Sequence, residues 1–451
     1  MVLSETARYD RERVSPVGEH AVVLGGSIAG LCAARVLADA YDSVTVVERD
    51  VLPDEPVVRD GAPQTRQPHI LLEAGRATVE DLFPGFCETV LARGGLLVDA
   101  ARDLSMYREG GFVAAAETRL SLYCATRPLF EQVARERVRA LDDVTVRDGT
   151  QWLDYRTNAA GDAVTGVDVQ TPDGEHETLA ADLVMDATGR TSRTPSWLEE
   201  RGDEAPAVET VSVDVSYATI RVERPPDDRR VLFASPGAPR TRGGVAIPVE
   251  GGAWVVTLQG MHGDEAPTDP EAFVAFAESL PVPELGRIVR EHEWRTNEAV
   301  GYPFPSSRRY HYEDLDALPD GLLVTGDALA SFNPVYGHGM SVAALDALHL
   351  HHALAAGTDA LAPRFFERAA DTVDVVWRLA VGPDFEYAQT TGPKPLGTDV
   401  FNRYIARLTR KAHDDPVLAE TLARVFLLEE SPATLFAPRT LWRALRPGVS
   451  R

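Results

Sequence analysis

Two groups of residues in this chain have the types and spacing to do chemistry. The first is Gly25-Gly26-Ser27-Ile28-Ala29-Gly30, in which Gly25, Ser27 and Gly30 take the positions of a G-x-G-x-x-G turn. Such a turn lets the backbone approach a pyrophosphate and presents the N–H groups and partial positive charge of a helix N-terminus. Ser27 in place of the middle glycine makes that approach tighter. Glu48 follows at about the 20-residue distance from which an acid accepts hydrogen bonds from a ribose, with Arg49 beside it. The second group is Gly326-Asp327-Ala328, then Pro334, Gly337, His338, Gly339 and Met340. The glycine turn taken alone also suits a tight strand-to-helix connection that binds nothing.

These residues need elements to position them. Residues 21–24 (Ala-Val-Val-Leu) read as a short buried strand, 31–40 as an Ala/Leu-rich helix and 44–48 as a second strand, together a βαβ unit. Residues 51–70, with four prolines and with Gln64 and Gln67 beside arginines, are too polar for core and too long for a turn, so they read as a functional loop. A helix is expected over 127–141 and strand alternation from 144 to 186. Residues 211–260 read as an antiparallel sheet with one face free for a ligand. A strand over 321–325 ends at Gly326-Asp327, a helix covers 341–356, and the tail from 363 onward is mostly helical.

Composition limits the partners. The chain has 451 residues, 45 Lys+Arg against 69 Asp+Glu, a net charge of −24 and 44% hydrophobic residues. That length fits roughly two to three domain-sized units. An acidic surface repels phosphate backbones and anionic lipid, so nucleic acid and membrane surfaces give way to small molecules as ligands. All but two of the basic residues are arginines, the lysines being Lys394 and Lys411, as a GC-rich coding bias or a salt-adapted surface would produce. Three cysteines, Cys32, Cys87 and Cys124, without CxxC spacing point to a reduced, cytoplasmic protein. No signal-peptide pattern and no run of about 18 apolar residues is present.

The glycine turn, the Gly326-Asp327 pair and the Pro334-x-x-Gly337-x-Gly339 segment, in that order, make the chain similar to the group A flavoprotein monooxygenases. Asp186-Ala187-Thr188-Gly189-Arg190 is similar to the family's middle Asp-Gly segment, with Ala187 where many members have glycine, and Arg127 matches an arginine placed near the FAD phosphates. The resemblance spans most of residues 20 to 355. It implies an α/β fold: a Rossmann-like FAD-binding domain of glutathione-reductase type, with an inserted antiparallel-sheet substrate domain and a helical C-terminal region. The corresponding boundaries are a flexible leader at 1–18, the FAD-binding domain at 19–200 and 296–362 with a substrate-side insertion around 71–115, the substrate domain at 201–295 and the helical region at 363–451. It further implies FAD contacts from Gly25, Ser27, Ile28, Ala29, Gly30, Glu48, Arg49, Gln64, Arg127, Asp186 and Gly326. Asp327 would bind the ribityl chain, and Pro334, Gly337, His338, Gly339 and Met340 would face the flavin ring.

The implied activity is an FAD monooxygenase that uses NADPH or NADH and O2 to hydroxylate or epoxidise an apolar small molecule through a flavin C4a-hydroperoxide. The segment Arg59-x-Gly61-x-Pro63-Gln64 with His69 is similar to one in microbial natural-product epoxidases and hydroxylases, beside the flavin. Catalytic candidates are His69, equally readable as a core histidine, with Tyr336 and His338, the latter beside the expected ring. No obvious general base is present, which tilts the reading toward epoxidation or hydroxylation of a terpenoid or polyketide-like molecule. The alternative is a reductase of isoprenoid double bonds, like geranylgeranyl reductase. A flavin halogenase fits less well, because neither lysine lies in the motif region and no Trp-x-Trp-x-x-Pro segment occurs. Tyr217, Trp254, Tyr302, Phe304, Phe332 and Tyr336 are aromatics expected near the substrate. His349, His351 and His352 lack a completing carboxylate and read as a solvated helix face, with no metal site. A monomer or homodimer is expected.

Overall fold

In a computed structural model, which describes residues 2–118 and 120–446, the chain is organised around a five-stranded parallel sheet. Its order is Leu322–Val324, Leu183–Asp186, Gly18–Leu24, Tyr41–Val47 and Val144–Arg147. The central strand is a continuous apolar run because both faces are covered: Ala21, Val22, Val23 and Leu24 are all fully buried. On one face Ala21 and Val23 pack under the helices Ile28–Leu37, Arg127–Arg139 and Gly339–Leu354. On the other, Val22 and Leu24 meet the three-stranded antiparallel sheet Gln151–Thr157, Val164–Gln170 and His176–Ala180. The carboxyl ends of the parallel strands therefore converge on one crevice.

An eight-stranded sheet roofs that crevice. Its long strand Val208–Glu223 pairs antiparallel with Ala253–Met261 on one side and Val300–Tyr310 on the other. The last of these falls beyond the boundary expected at residue 295; its pairing runs from Val208 to Thr219 and makes it integral to this sheet. The sheet is not wholly antiparallel, because Val231–Ala234 pairs parallel with Leu104–Arg108, a strand from the early insertion. Alternate residues Ala218, Ile220, Val222, Trp254, Val256 and Leu258 pack beneath the helices Pro270–Glu278 and Pro283–Glu291. The opposite face turns toward the crevice.

Two expectations change. The leader is docked: Val2 is fully buried, Leu3 and Ser4 donate to the carbonyls of Leu428 and Glu429 at 3.1 and 3.0 Å, and His352 Nε2 bonds the Ala7 carbonyl at 2.9 Å. Residue 1, and residues 447–451 of the expected helical tail, lie outside the described residues. His349 and His351 are buried, not solvated, because the helix Gly339–Leu354 is enclosed by Ile28–Leu37, Glu73–Leu82 and Leu361–Val376. His349 Nε2 meets Thr372 Oγ1 at 2.8 Å, and burial pushes its imidazole down to about 3. The unfolded chain binds this proton near pH 6.5, so His349 lowers stability as pH falls from there toward 3. His349→Gln is expected to flatten the Tm profile between pH 6.5 and 4, recovering on the order of 3 kcal/mol at the acid end.

Among the described residues no helix is long and apolar enough to cross a membrane.

Candidate functional site

The turn after the first strand is built so that only glycine fits at its key positions. Gly25 has φ 107°, and a Cβ there would lie 2.5 Å from the Ala187 carbonyl oxygen; a Cβ on Gly30 would lie 1.8 Å from the Gly25 carbonyl oxygen. Gly326, at φ 64°, closes over the same helix start, where a Cβ would come 2.8 Å from that of Ala29. Ser27 occupies the N-cap in extended conformation but does not cap the helix with its hydroxyl. Its Oγ donates to Glu131 and accepts from Arg127 Nη2 at 3.0 Å. The first N–H groups of Ile28–Leu37 therefore have no side-chain cap and face the crevice as an anion site.

Asp327 stands over this helix start, exposed to the crevice while Gly326 and Ala328 are buried. Its carboxyl lies within the field of Arg127 and Arg190. Asn333 caps the turn Pro334–Tyr336 by accepting from Val335 N–H at 3.2 Å, and Gly337 follows at φ 70°. The helix Gly339–Leu354 begins there without a side-chain cap. Pro334 and Gly339 are exposed and Met340 is buried. The ideal Cβ position of Gly339 is 3.9 Å from Asp327 Oδ1, so the two downstream motifs meet.

Beyond the helix start lies a buried charge cluster that sequence reasoning did not assemble. Arg59 pairs with Glu48 at 3.0 Å, Asp50 at 3.0 Å and Glu131 at 3.3 Å, and its side chain is 8% exposed. Burial works to raise Glu131, but Arg127, Arg59 and the Ser27 hydroxyl outweigh it and hold its carboxyl below the ordinary value. Glu48 is engaged by the chain's own donors: Gly26 N–H at 2.8 Å, Asp50 N–H at 3.0 Å and Arg59. Arg49 lies exposed at the rim, donating to the Gly61 carbonyl at 3.4 Å. Gln64 is half-buried on the turn Pro63–Arg66.

Two residues expected at the site point elsewhere. Asp186 is fully buried and accepts from Thr188 N–H and Oγ1, Ser192 Oγ and Thr194 Oγ1 at 2.8, 2.6, 2.5 and 2.5 Å. Its oxygens hold the loop after its own strand. His338 turns its ring into the C-terminal helices, where Nε2 meets the Phe426 carbonyl at 3.2 Å and burial takes it down to about 4. Only its backbone is left to border the crevice. Tyr336 stacks on that ring and packs against the C-terminal core.

His69 remains at the crevice: Nδ1 bonds the Gln67 carbonyl at 2.8 Å, and burial together with Arg127 lowers it to about 4. It is neutral at pH 7. Among the aromatics, Tyr217, Tyr302 and Phe304 gather on the inner face of the large sheet. Trp254 does not join them, because it alternates to the outer face; Phe332 packs edge-on to Trp377.

Arg190, Asp346 and Asp384 were not read from the sequence as site residues. Arg190 donates to Ser331 and Ser306 Oγ at 2.6 and 3.0 Å and lies over the Phe304 ring at 4.8 Å. Asp346 accepts from Gly326 N–H at 3.1 Å and Thr325 Oγ1 at 3.2 Å, fixing the Asp327 turn from below, and burial raises it to about 7. Asp384 accepts from Asn333 Nδ2 at 3.0 Å, and Asn333 Oδ1 accepts from Tyr217 at 3.1 Å. All three meet their partners across long sequence separations, which leave no local signal.

An uncapped helix start, a glycine-lined close approach, two arginines and a polar carboxylate at one crevice fit the diphosphate and ribityl groups of FAD. Residues 118–364 match the family described as FAD binding domain. The chain is 34% identical to Protein Rv3254 of Mycobacterium tuberculosis, over 93% of this chain and 91% of that one. Its fold is similar to p-nitrophenol 4-monooxygenase PnpA of Pseudomonas putida (TM-score 0.62, 17% identity, 93% of this chain and 100% of that one). It is likewise similar to pqsL, a probable FAD-dependent monooxygenase of Pseudomonas aeruginosa (0.59, 18%, 91% and 99%). The flavin-dependent brominase Bmp2 shares it too (0.61, 16%, 94% and 98%). The chain thus belongs to the FAD-binding domain family, an FAD-dependent oxidoreductase with the fold of the group A flavoprotein monooxygenases.

Proposed function

We propose that this protein is a monooxygenase that uses NADPH or NADH and O2 to hydroxylate or epoxidise a largely apolar small molecule. The observation that carries this reading is the meeting of three features at one crevice: the uncapped helix start at Ser27, the Asp327 carboxylate, and the aromatic inner face of the sheet at Tyr217, Tyr302 and Phe304. Bound FAD supplies the redox chemistry, passing electrons from NAD(P)H to O2 so that one oxygen atom enters the substrate and the other leaves as water.

The chain's own residues bind, orient and exclude. The backbone at Ile28–Gly30 and the guanidinium of Arg127 would hold the diphosphate, and Asp327 would take the ribityl hydroxyls. The start of the helix Gly339–Leu354 places positive potential where a reduced ring carries negative charge. The large sheet and the loop at 59–71 would cover the ring from water, which keeps reducing equivalents from being lost as peroxide. Asp327→Ala is expected to purify with its fold intact and at most a small fraction of the wild-type FAD content, read from the visible spectrum.

The reading is tested by reducing the holoenzyme with NADPH without air and then admitting oxygen. An absorbance transient that precedes full reoxidation, lengthened by substrate, is expected. Reduced flavin that persists in air would overturn the reading in favour of a double-bond reductase.

A further inference from the structure

The inner face of the large sheet is polar where a buried sheet face is normally apolar. Tyr217 stands opposite Gln259 on one neighbouring strand and Tyr302 on the other, and Thr219 stands opposite Thr257. Gln67 reaches this face from the 59–71 loop, its Oε1 accepting from Thr219 Oγ1. Gln67, Gln259, Thr219 and Thr257 are 9%, 4%, 4% and 2% exposed. Yet Nε2 of both Gln67 and Gln259 is buried without a hydrogen-bond partner. A buried amide left unpaired costs the free energy of desolvating it, so two of them on one sheet face work against folding. The backbone makes room for one of them: a Cβ on Gly243 would come 2.3 Å from Gln259 Nε2.

We infer that the Gln67 and Gln259 amides are a specificity device that grips a neutral carbonyl oxygen of the substrate; this rests on the monooxygenase reading. Both free groups are donors, so the ligand supplies acceptors. None of these six side chains carries a formal charge, and the Arg190 guanidinium over the Phe304 ring is engaged by Ser331 and Ser306, so the oxygen these amides grip is a neutral ketone, lactone or quinone oxygen. Tyr217, Tyr302 and Phe304 beside them suit a flat apolar body. Gln67 is two residues from His69, which feels Arg127 and Glu131, so the carbonyl is held between the sheet and the nucleotide crevice. A site built around hydrogen-bond donors rejects the analogue that lacks the acceptor, because the donors then stay unpaired.

The test compares a bicyclic aromatic ketone, 1-tetralone, with its hydrocarbon, tetralin, by calorimetric titration of the oxidised holoenzyme. Wild type is expected to bind the ketone at least about ten-fold more tightly. Gln259→Leu and Gln67→Leu should each reduce that ratio several-fold while leaving tetralin affinity and FAD content unchanged. The Tm of ligand-free Gln259→Leu should rise, since an unpaired buried donor is removed. A wild-type ratio near one, or a ratio that survives both substitutions, overturns the inference. So does loss of FAD with the ratio preserved, which would mean that the amides serve the cofactor. A purified protein that takes up no flavin at all is the separate outcome that sinks the monooxygenase reading itself.

Discussion

Gly30→Ala is expected to yield protein without flavin. The added methyl would sit 1.8 Å from the Gly25 carbonyl oxygen and 3.3 Å from Val23 Cγ1, both parts of the strand and turn that the helix Ile28–Leu37 packs against. Neither neighbour is the free end of a flexible side chain, so the helix must move off the sheet, and with it the N–H groups that receive the diphosphate. Gly30→Val enlarges the same displacement. Gly237→Ala is the control, because a Cβ there has no heavy atom within 4 Å. Flavin content per polypeptide after gel filtration, alongside far-ultraviolet circular dichroism, separates loss of cofactor from loss of fold. A Gly30→Ala protein with full FAD would mean that the close packing of this turn is not what forms the site.

The second large effect is on stability. Arg59→Leu leaves Glu48, Asp50 and Glu131 clustered with their shared cation removed, and the first and last of these are 7% and 3% exposed at the side chain. Removing one member of a buried, paired set strands the remaining charge and costs about 3–5 kcal/mol. The sign with pH is definite. In the wild type, Glu131 is held below the ordinary carboxylate value, so its contribution is present above that value and is lost as pH falls through the lowered one. In Arg59→Leu, Glu131 keeps Arg127 at 2.9 Å but loses its second guanidinium, so less of the pull that opposes its burial remains. The gap in urea midpoint between wild type and variant is therefore expected to be widest near pH 7 and to narrow toward pH 4. A gap that stays constant with pH would show that Arg59 acts through packing alone.

What the sequence made legible follows from the range of the interactions. The turn at Gly25–Gly30 was legible because Gly30 is needed against the Gly25 carbonyl within one βα unit, so the spacing carries that geometry, whereas the partners of Gly25 and Gly326, Ala187 and Ala29, lie far along the chain. The parallel strands were readable as short apolar runs, and the strands that carry Tyr217 and Trp254 by their alternation; which aromatic faces the crevice was not. Trp254 and Tyr217 lie on facing strands but on opposite faces, and only the register Tyr217 to Gln259 tells them apart. Arg59 and Glu131 are 72 residues apart, and nothing in either neighbourhood announces the pair. Asp186 was placed at the nucleotide by its motif, whereas the hydroxyls of Ser192 and Thr194, a few residues on, claim its oxygens. His349 and His351 look solvated by residue type; they are buried because the helix that carries them is enclosed on all sides, and its even hydrophobicity was the one available sign.

The most direct measurement is the flavin content of the purified protein, by acid release and chromatographic identification against polypeptide concentration. One FAD per chain, bound as purified or taken up on addition, is the expected result. A folded protein that carries no flavin and takes up none from added FAD would contradict the central claim.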